Sequence, residues 1–253
     1  MGHHGRMHAQ PGVGLRPDAP WGYLPATSFR SRRSALSEAQ RQTWERLWPQ
    51  LGRQADDTPP GPGAPLDTES WFGRRAPLVL EIGCGSGTST LAMAQAEPDI
   101  DVIAVEIYRR GLAQLLCAID AEQVSNIRLI RGNGIDVLKD LLTAQSLIGV
   151  RVFFPDPWPK ARHHKRRLLQ PGTVSLIADR LLPGGVLHVA TDHPGYAEHI
   201  EEVGAQMEAQ SRFVRAGTDS ESLPISVNRP TTKYETKAQE AGSHVCEFVW
   251  KRI

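Results

Sequence analysis

From Leu78 onward, short apolar runs alternate with longer stretches in which apolar residues recur every three or four positions. The short runs are VLEIG, VIAVE, IRLIRG, VRVFFPD and GVLHVATD. They are rich in β-branched residues and bounded by Gly, Pro or Asp, which predicts strands. Between them, LAMAQAEP, RRGLAQLLCAIDAEQ and TVSLIADRLLP have the length and periodicity of helices. Strands that alternate with helices predict a parallel sheet covered on both faces, so the fold class is α/β, doubly wound and mostly parallel. The last run, HVCEFVWKRI, predicts a closing strand with the chain end at a sheet edge.

Upstream the texture differs. SEAQRQTWERLWPQL, from Ser37 to Leu51, predicts a short helix with Ser37 as N-cap and Pro49 closing it. DDTPPGPGAPLD, which follows, is loop chemistry. In residues 1–35, Asp18 is the only acid against Arg6, Arg16, Arg30, Arg32 and Arg33, which predicts a basic arm mobile until it meets a partner. The expected organisation is therefore an arm (1–35), a helix with a Pro/Gly-rich linker (36–77) and an α/β domain (78–253). Internal repeats are absent.

A net charge of only +1 over 253 residues means that any nucleic-acid surface must come from local clustering of cations. Three widely spaced cysteines, Cys84, Cys117 and Cys246, exclude a disulfide framework and fit a reducing, cytoplasmic setting. No apolar run approaches about 18 residues, so no membrane span is expected. The N-terminus lacks the apolar core of a signal peptide, and its paired histidines read as a leader rather than a metal site.

Chemistry enters first at EIGCGSGTS. Gly83, Gly85 and Gly87 follow a strand and precede a helix, where the backbone must turn sharply and approach a ligand closely. The spacing is G-x-G-x-G with Thr88 next, so the dinucleotide form is not met. Glu106 ends the next strand, where a carboxylate can accept both hydroxyls of a ribose. Glu81 could face a cationic part of the ligand or cap the loop. An acid there poorly serves a pyrophosphate, whereas S-adenosylmethionine has no phosphate and carries an ammonium and a sulfonium. Asn133 follows the third strand, where an adenine edge would lie, although such a residue also suits a turn.

The segment VRVFFPDPWPKARHHKRR carries the second signal. Phe154, Asp156 and Trp158 each precede a proline and are expected to be extended. Asp156 would then leave its strand on a stiff segment at the carboxyl edge of the sheet, beside the cofactor. A solvent turn is the plain alternative. The cations that follow, Lys160, Arg162, Lys165, Arg166 and Arg167 with His163 and His164 between them, fit RNA phosphate contact. Adjacent histidines among cations lack partner thiols or carboxylates, so no metal is expected. Asp192 ends the fifth strand in VATD and reaches the same edge, or caps the helix beginning near Gly195. RPTTKYE places hydroxyl, ammonium, aromatic and carboxylate groups before the last strand. There Tyr234 could stack and Glu235 could pair with an extruded base.

Taken together, SFRSRR in the arm, EIGCGSG, AVE, FPDPWPKARHHKRR, ATDHPGYAEH and RPTTKYE resemble the bacterial tRNA (guanine-N7)-methyltransferase family over roughly residues 28–253. The resemblance implies a class I, Rossmann-like methyltransferase fold with a seven-stranded sheet. It implies S-adenosylmethionine as cofactor, S-adenosylhomocysteine as product and methylation of the variable-loop guanosine 46 of tRNA. No membrane or obligate protein partner is expected. By the same resemblance Glu81, Gly83, Gly85, Gly87, Glu106, Asn133 and Asp156 are cofactor contacts, with Asp156 catalytic. Asn133 stands where an aspartate is more usual. Lys160, Asp192, Thr232, Lys233, Tyr234 and Glu235 match substrate contacts, and Arg162, His163, His164, Lys165, Arg166 and Arg167 match the RNA-contacting region. An RNA-binding module of the same fold with altered or lost methyl transfer is the alternative; the glycine loop and its two acids argue against it.

Overall fold

The computed structural model describes residues 35–57, 65–218, 222–231, 235–236, 242 and 244–253. Nearly all of the basic arm, together with Thr232, Lys233 and Tyr234, lies outside the described residues. Eight strands form one sheet: β1 (Gly52–Gln54), β2 (Leu78–Ile82), β3 (Asp101–Glu106), β4 (Ile127–Arg131), β5 (Leu147–Phe153), β6 (Leu181–Thr191), β7 (Phe213–Ala216) and β8 (Cys246–Arg252). Their order is β1-β4-β3-β2-β5-β6-β8-β7, and β8 alone of these runs against the others.

The order reverses direction between β2 and β5, and this is where an open α/β sheet leaves a crevice at the carboxyl ends of its strands. Residues 83–87, Glu106, Asn133, residues 154–160 and Asp192 all lie at or just beyond those ends. Their convergence follows from the topology alone.

Burial explains why the strands read as continuous apolar runs. Every residue of β2 and β3 is buried. Along β2, Leu78, Leu80 and Ile82 join the core on one face, and Val79 joins the core on the other. Helices cover both: α4 (Arg109–Glu122) buries Leu112, Leu115, Leu116 and Ile119 at helical spacing, and α7 (Pro194–Ala209) does likewise with Tyr196, Ile200, Val203 and Met207. Shorter helices are α2 (Thr68–Phe72), α3 (Thr88–Ala96), α5 (Gly134–Asp136, widening into a π turn over Val137–Leu141) and α6 (Pro171–Arg180).

Four expectations change. The sheet has an eighth strand because β1, within the segment 36–77, pairs parallel with β4. The helix α1 (Glu38–Leu51) has the capping box at Ser37, but it runs through Pro49 to Leu51, where Gly52 N–H donates to Trp48 C=O. Trp44 stacks on Trp48 at 4.0 Å and receives the Arg109 guanidinium at 4.7 Å, which docks α1 on α4. The LLP of TVSLIADRLLP belongs to β6, since α6 ends at Arg180 and Leu181 already pairs with Leu147. Finally, β8 lies inside the sheet between β6 and β7; the short, half-exposed β7 takes the edge.

Asn126 fastens these layers together. It is buried, and its Nδ2 donates to the carbonyls of Ala94 (3.0 Å), Glu97 (3.1 Å) and Ile100 (2.8 Å), closing α3 onto the entry to β3. Asn126→Ala is expected to cost about 1–3 kcal/mol in urea denaturation, the penalty for stranding buried acceptors. Asn126→Asp should cost more at neutral pH, because it turns a carboxylate toward three carbonyl oxygens.

Candidate active site

The loop after β2 turns through three left-handed glycines, Gly83, Gly85 and Gly87, with φ of 79°, 57° and 77°. It is pinned to β3, since Gly83 and Cys84 N–H both donate to Val105 C=O. Glu106 completes the pinning. One carboxylate oxygen accepts from Gly85 N–H at 2.9 Å, and the other accepts from Ile107 and Tyr108 N–H at 2.7 and 3.0 Å. A carboxylate has about four acceptor positions, so three fixed donors orient Glu106 and leave little more than one direction for a ligand hydroxyl.

Close approach of α4 to this loop depends on Gly111. A Cβ there would lie 2.2 Å from the Gly85 carbonyl oxygen, a backbone atom that cannot yield. Glu81, one strand residue before the loop, is only 2% exposed, and its Oε2 has no hydrogen-bond partner among the described residues. Burial pushes its carboxyl up to about 7, against the opposing pull of Arg151, its register partner on β5, and of Thr90. Asn133 accepts Ile135 N–H on its Oδ1 at 2.9 Å, capping α5. What it can offer an adenine edge is therefore chiefly its amide N–H, where an aspartate would accept.

A cavity of about 220 Å³ opens at this edge. Gly83, Glu106 and Asn133 line one side; Phe154, Asp156 and Trp158 line another, with Lys165, Arg166 and Arg167 beside them. Glu81, Gly85 and Gly87 are not among the lining residues. Lys160, Arg162, His163, His164 and Asp192 are also not among the lining residues; of these Lys160, Arg162 and Asp192 are exposed.

The proline-rich segment departs from the extended backbone expected of it. Phe154 and Trp158 have φ of 50° and 44°, in the left-handed region. A following proline disfavours the right-handed helical conformation, and here tertiary contacts choose the left-handed alternative over the extended one. Phe154 N–H donates to Ala190 C=O at 2.8 Å, and the Arg229 guanidinium lies 5.0 Å from its ring. Trp158 lies under the Arg166 guanidinium at 5.0 Å, with the His163 ring against its edge at 5.8 Å. Backbone held in a sparsely populated region is characteristic of functional sites.

Arg167 corrects the reading of the basic run. It is 4% exposed, its guanidinium donates to Pro157 C=O (2.9 Å) and Gly195 C=O (3.0 Å), and it lies 4.9 Å from the Tyr196 ring. It therefore clamps the Asp156 segment to the start of α7 and is not available to phosphate. Lys160, Arg162 and Lys165 are exposed, on or beside a 3-10 turn spanning Ala161–Arg166. Partial burial and the surrounding cations lower the pKa of His163 below the ordinary imidazole value, so it adds no charge at neutral pH. Asp192 is not the cap of α7. That role falls to His193, whose Nδ1 accepts Tyr196 N–H at 3.2 Å. Among the described residues no cluster of His, Cys, Asp and Glu could hold a metal ion, and no helix is long and apolar enough to cross a membrane.

Sequence reasoning missed Arg229, Arg151 and Tyr196. Each side chain is buried, and nothing in the sequence distinguishes a buried arginine from a solvated one before its partners are known.

Comparison with known proteins points the same way as the geometry. Residues 75–248 match the family model described as "Putative methyltransferase". The chain is 69% identical over 262 residues to a tRNA (guanine-N(7)-)-methyltransferase of Mycobacterium avium (strain 104), covering all of both chains. It is 68% identical over 256 residues to a tRNA (guanine-N(7)-)-methyltransferase of Mycobacterium tuberculosis (strain ATCC 25618 / H37Rv), covering all of this chain and 96% of that one. Among solved structures, the 16S rRNA methyltransferase KamB superposes with a TM-score of 0.51 at 13% identity, over 75% of this chain and 94% of that one, which shows a shared fold.

Gly111→Ala is expected to push α4 away from the glycine loop. Calorimetry should show affinity for S-adenosylhomocysteine falling at least about tenfold, with a lowered unfolding temperature, as overpacking against a fixed carbonyl predicts.

Proposed function

Because the chain belongs to the tRNA (guanine-N7)-methyltransferase family, we propose that this cavity is where it methylates N7 of a tRNA guanine, at position 46 of the variable loop. The observation that carries this reading is the shared opening. The fixed Glu106 carboxylate, Asn133 and Asp156 line one cavity with Lys165 and Arg166 at its side.

The donor set suits S-adenosylmethionine. Glu106 would accept a ribose hydroxyl in its remaining direction, Asn133 would meet the adenine edge, and the unpartnered oxygen of Glu81 would serve the ammonium end. When bound, this cofactor supplies a methyl group on a sulfonium: the N7 lone pair forms the new bond while the C–S pair returns to sulfur. N7 carries no proton, so none of the chain's residues need act as a base. The protein's work is alignment and charge. Asp156, held by Arg167 through Pro157, faces a ring that gains positive charge during transfer, and a fixed carboxylate stabilises that charge. Lys160, Arg162 and Lys165 hold the RNA phosphates. Thr232, Lys233 and Tyr234, with Glu235 and Asp192, are the proposed contacts to the base and its neighbours. The setting is cytoplasmic, with no obligate protein partner.

Mass spectrometry of tRNA nucleosides after incubation with labelled cofactor should show 7-methylguanosine, mapped to position 46. Absence of that nucleoside would overturn the reading. Asp156→Asn should lower kcat by about 100-fold or more while tRNA Kd moves less than about threefold. Replacing Lys160, Arg162 and Lys165 by alanine should weaken binding of all tRNAs alike. It should also reduce the slope of log K against log salt by roughly one unit for each contact removed.

A pH test addresses Glu81. An ammonium nearby favours the ionised carboxylate, so binding lowers its pKa and releases a proton. Affinity for S-adenosylhomocysteine should therefore tighten as pH rises through about 7, and Glu81→Gln should flatten the profile.

A further inference from the structure

Glu81 Oε2, Thr90 Oγ1 and Arg151 Nε are buried and complete no hydrogen bond among the described residues. Glu81 is 2% exposed, and Thr90 and Arg151 are each 1% exposed. Folded interiors leave few such atoms, and these three belong together. Glu81 and Arg151 are register partners on the parallel strands β2 and β5, so their side chains share a face of the sheet. Thr90, in α3, and Arg151 both favour ionisation of Glu81. One unspent acceptor thus stands with two unspent donors.

The far end of Arg151 is anchored. Its Nη2 donates to Glu97 Oε2 at 2.5 Å and to Ser226 C=O at 3.2 Å, while Glu97 Oε1 accepts Ser226 N–H at 2.6 Å. By taking Nη2, Glu97 keeps Arg151 from closing a two-pronged pair with Glu81, and an oxygen of Glu81 stays open. The other neighbours add no competing charge. His188, the register partner of Arg151 on β6, is kept neutral by burial. Burial, with Glu81 and Glu106 nearby, keeps the Cys84 thiol protonated, and Glu106 on β3 is committed to its three backbone donors. Burial by itself favours a neutral acid, which would hold an ammonium poorly; a cation fixed on the next strand opposes that tendency.

We propose that Arg151 is a positioning residue for the cofactor: held by Glu97, it keeps the neighbouring Glu81 carboxylate ionised and open to the ammonium end of S-adenosylmethionine. This rests on the cofactor role proposed above for Glu81.

The test is calorimetry of S-adenosylhomocysteine binding to the full chain, between about pH 6 and 8.5. Wild-type affinity should tighten with pH up to a bend at about 7, where free Glu81 loses its proton. Arg151→Met combined with Glu97→Gln removes both charges, so no buried ion is left without its partner. In that variant the bend should move up by about one unit or more, and affinity below the bend should fall about tenfold per unit. Glu97→Gln alone leaves Arg151 uncompensated, so the bend should move down and binding in acid should tighten. Arg151→Lys keeps the charge, and its bend should stay within about half a unit of wild type. A pair that only fastens β5 to the end of α3 would change the unfolding temperature of these variants and leave every bend in place. That result overturns the inference, as does a bend in Arg151→Lys displaced as far as in the double variant. Glu97→Gln and Arg151→Lys keep the test decisive if the double variant does not fold. Failure of the underlying reading looks different: the wild type would show no bend, or Glu81→Gln would not remove it.

Discussion

Three backbone N–H groups from two separate turns converge on the Glu106 carboxylate, and the geometry of the pocket depends on that convergence. Gly85 belongs to the loop after β2, whereas Ile107 and Tyr108 lead into α4. A single side chain thus fixes the spacing between the glycine loop and the helix start. Gly111 lets α4 come close enough for the bonds to form. Remove either element and the other loses its reference. The carboxylate is held in its orientation before any ligand arrives, so its ordering cost is met in folding rather than in binding.

The opposite wall solves a harder problem. Asp156 is exposed and sits on a segment with two residues in left-handed backbone, each disfavoured by about 1–3 kcal/mol. Such a segment persists only if its surroundings over-determine it. Arg167 fixes it from the α7 side through Pro157, and Arg229 packs against Phe154 from the β8 side. Both arginines are buried and both are bonded at several points. The guanidinium suits this work because its planar donors can meet carbonyls or carboxylates while its face lies on an aromatic ring.

This division of labour also explains what could be read in the sequence. The glycine loop, its acid on the next strand and the alternation of strands with helices were legible, because backbone demands and burial leave a periodic trace. The run KARHHKRR was legible only as charge. In three dimensions it is a 3-10 turn, where residues three apart share a face. Arg162 and Lys165 therefore face solvent, His163 and Arg166 pack on Trp158, and Arg167 goes inside. Strands β1 and β7 were illegible for another reason: they are short edges with little to bury, and pairing rather than pattern defines them. Likewise, the central place of β8 is decided by its two neighbours, not by its own sequence.

The sorting of cations bears on catalysis as well as binding. In the proposed reading, methyl transfer leaves positive charge on a base bound in the cavity that Lys165, Arg166 and Asp156 line. If every cation of the run pointed inward, the developing charge would be repelled where it forms. Instead Lys160 and Arg162 are exposed outside the cavity lining, where they can meet phosphates and are screened over roughly 8–10 Å by salt. Arg166 lies on Trp158 and Arg167 is bonded to carbonyl oxygens. Coulomb energy falls with distance and with local dielectric, so entry of a base, which displaces water, strengthens the nearest carboxylate most. An exposed, stiffly mounted aspartate would thus suit the proposed step, since its effect grows as the substrate itself closes the cavity.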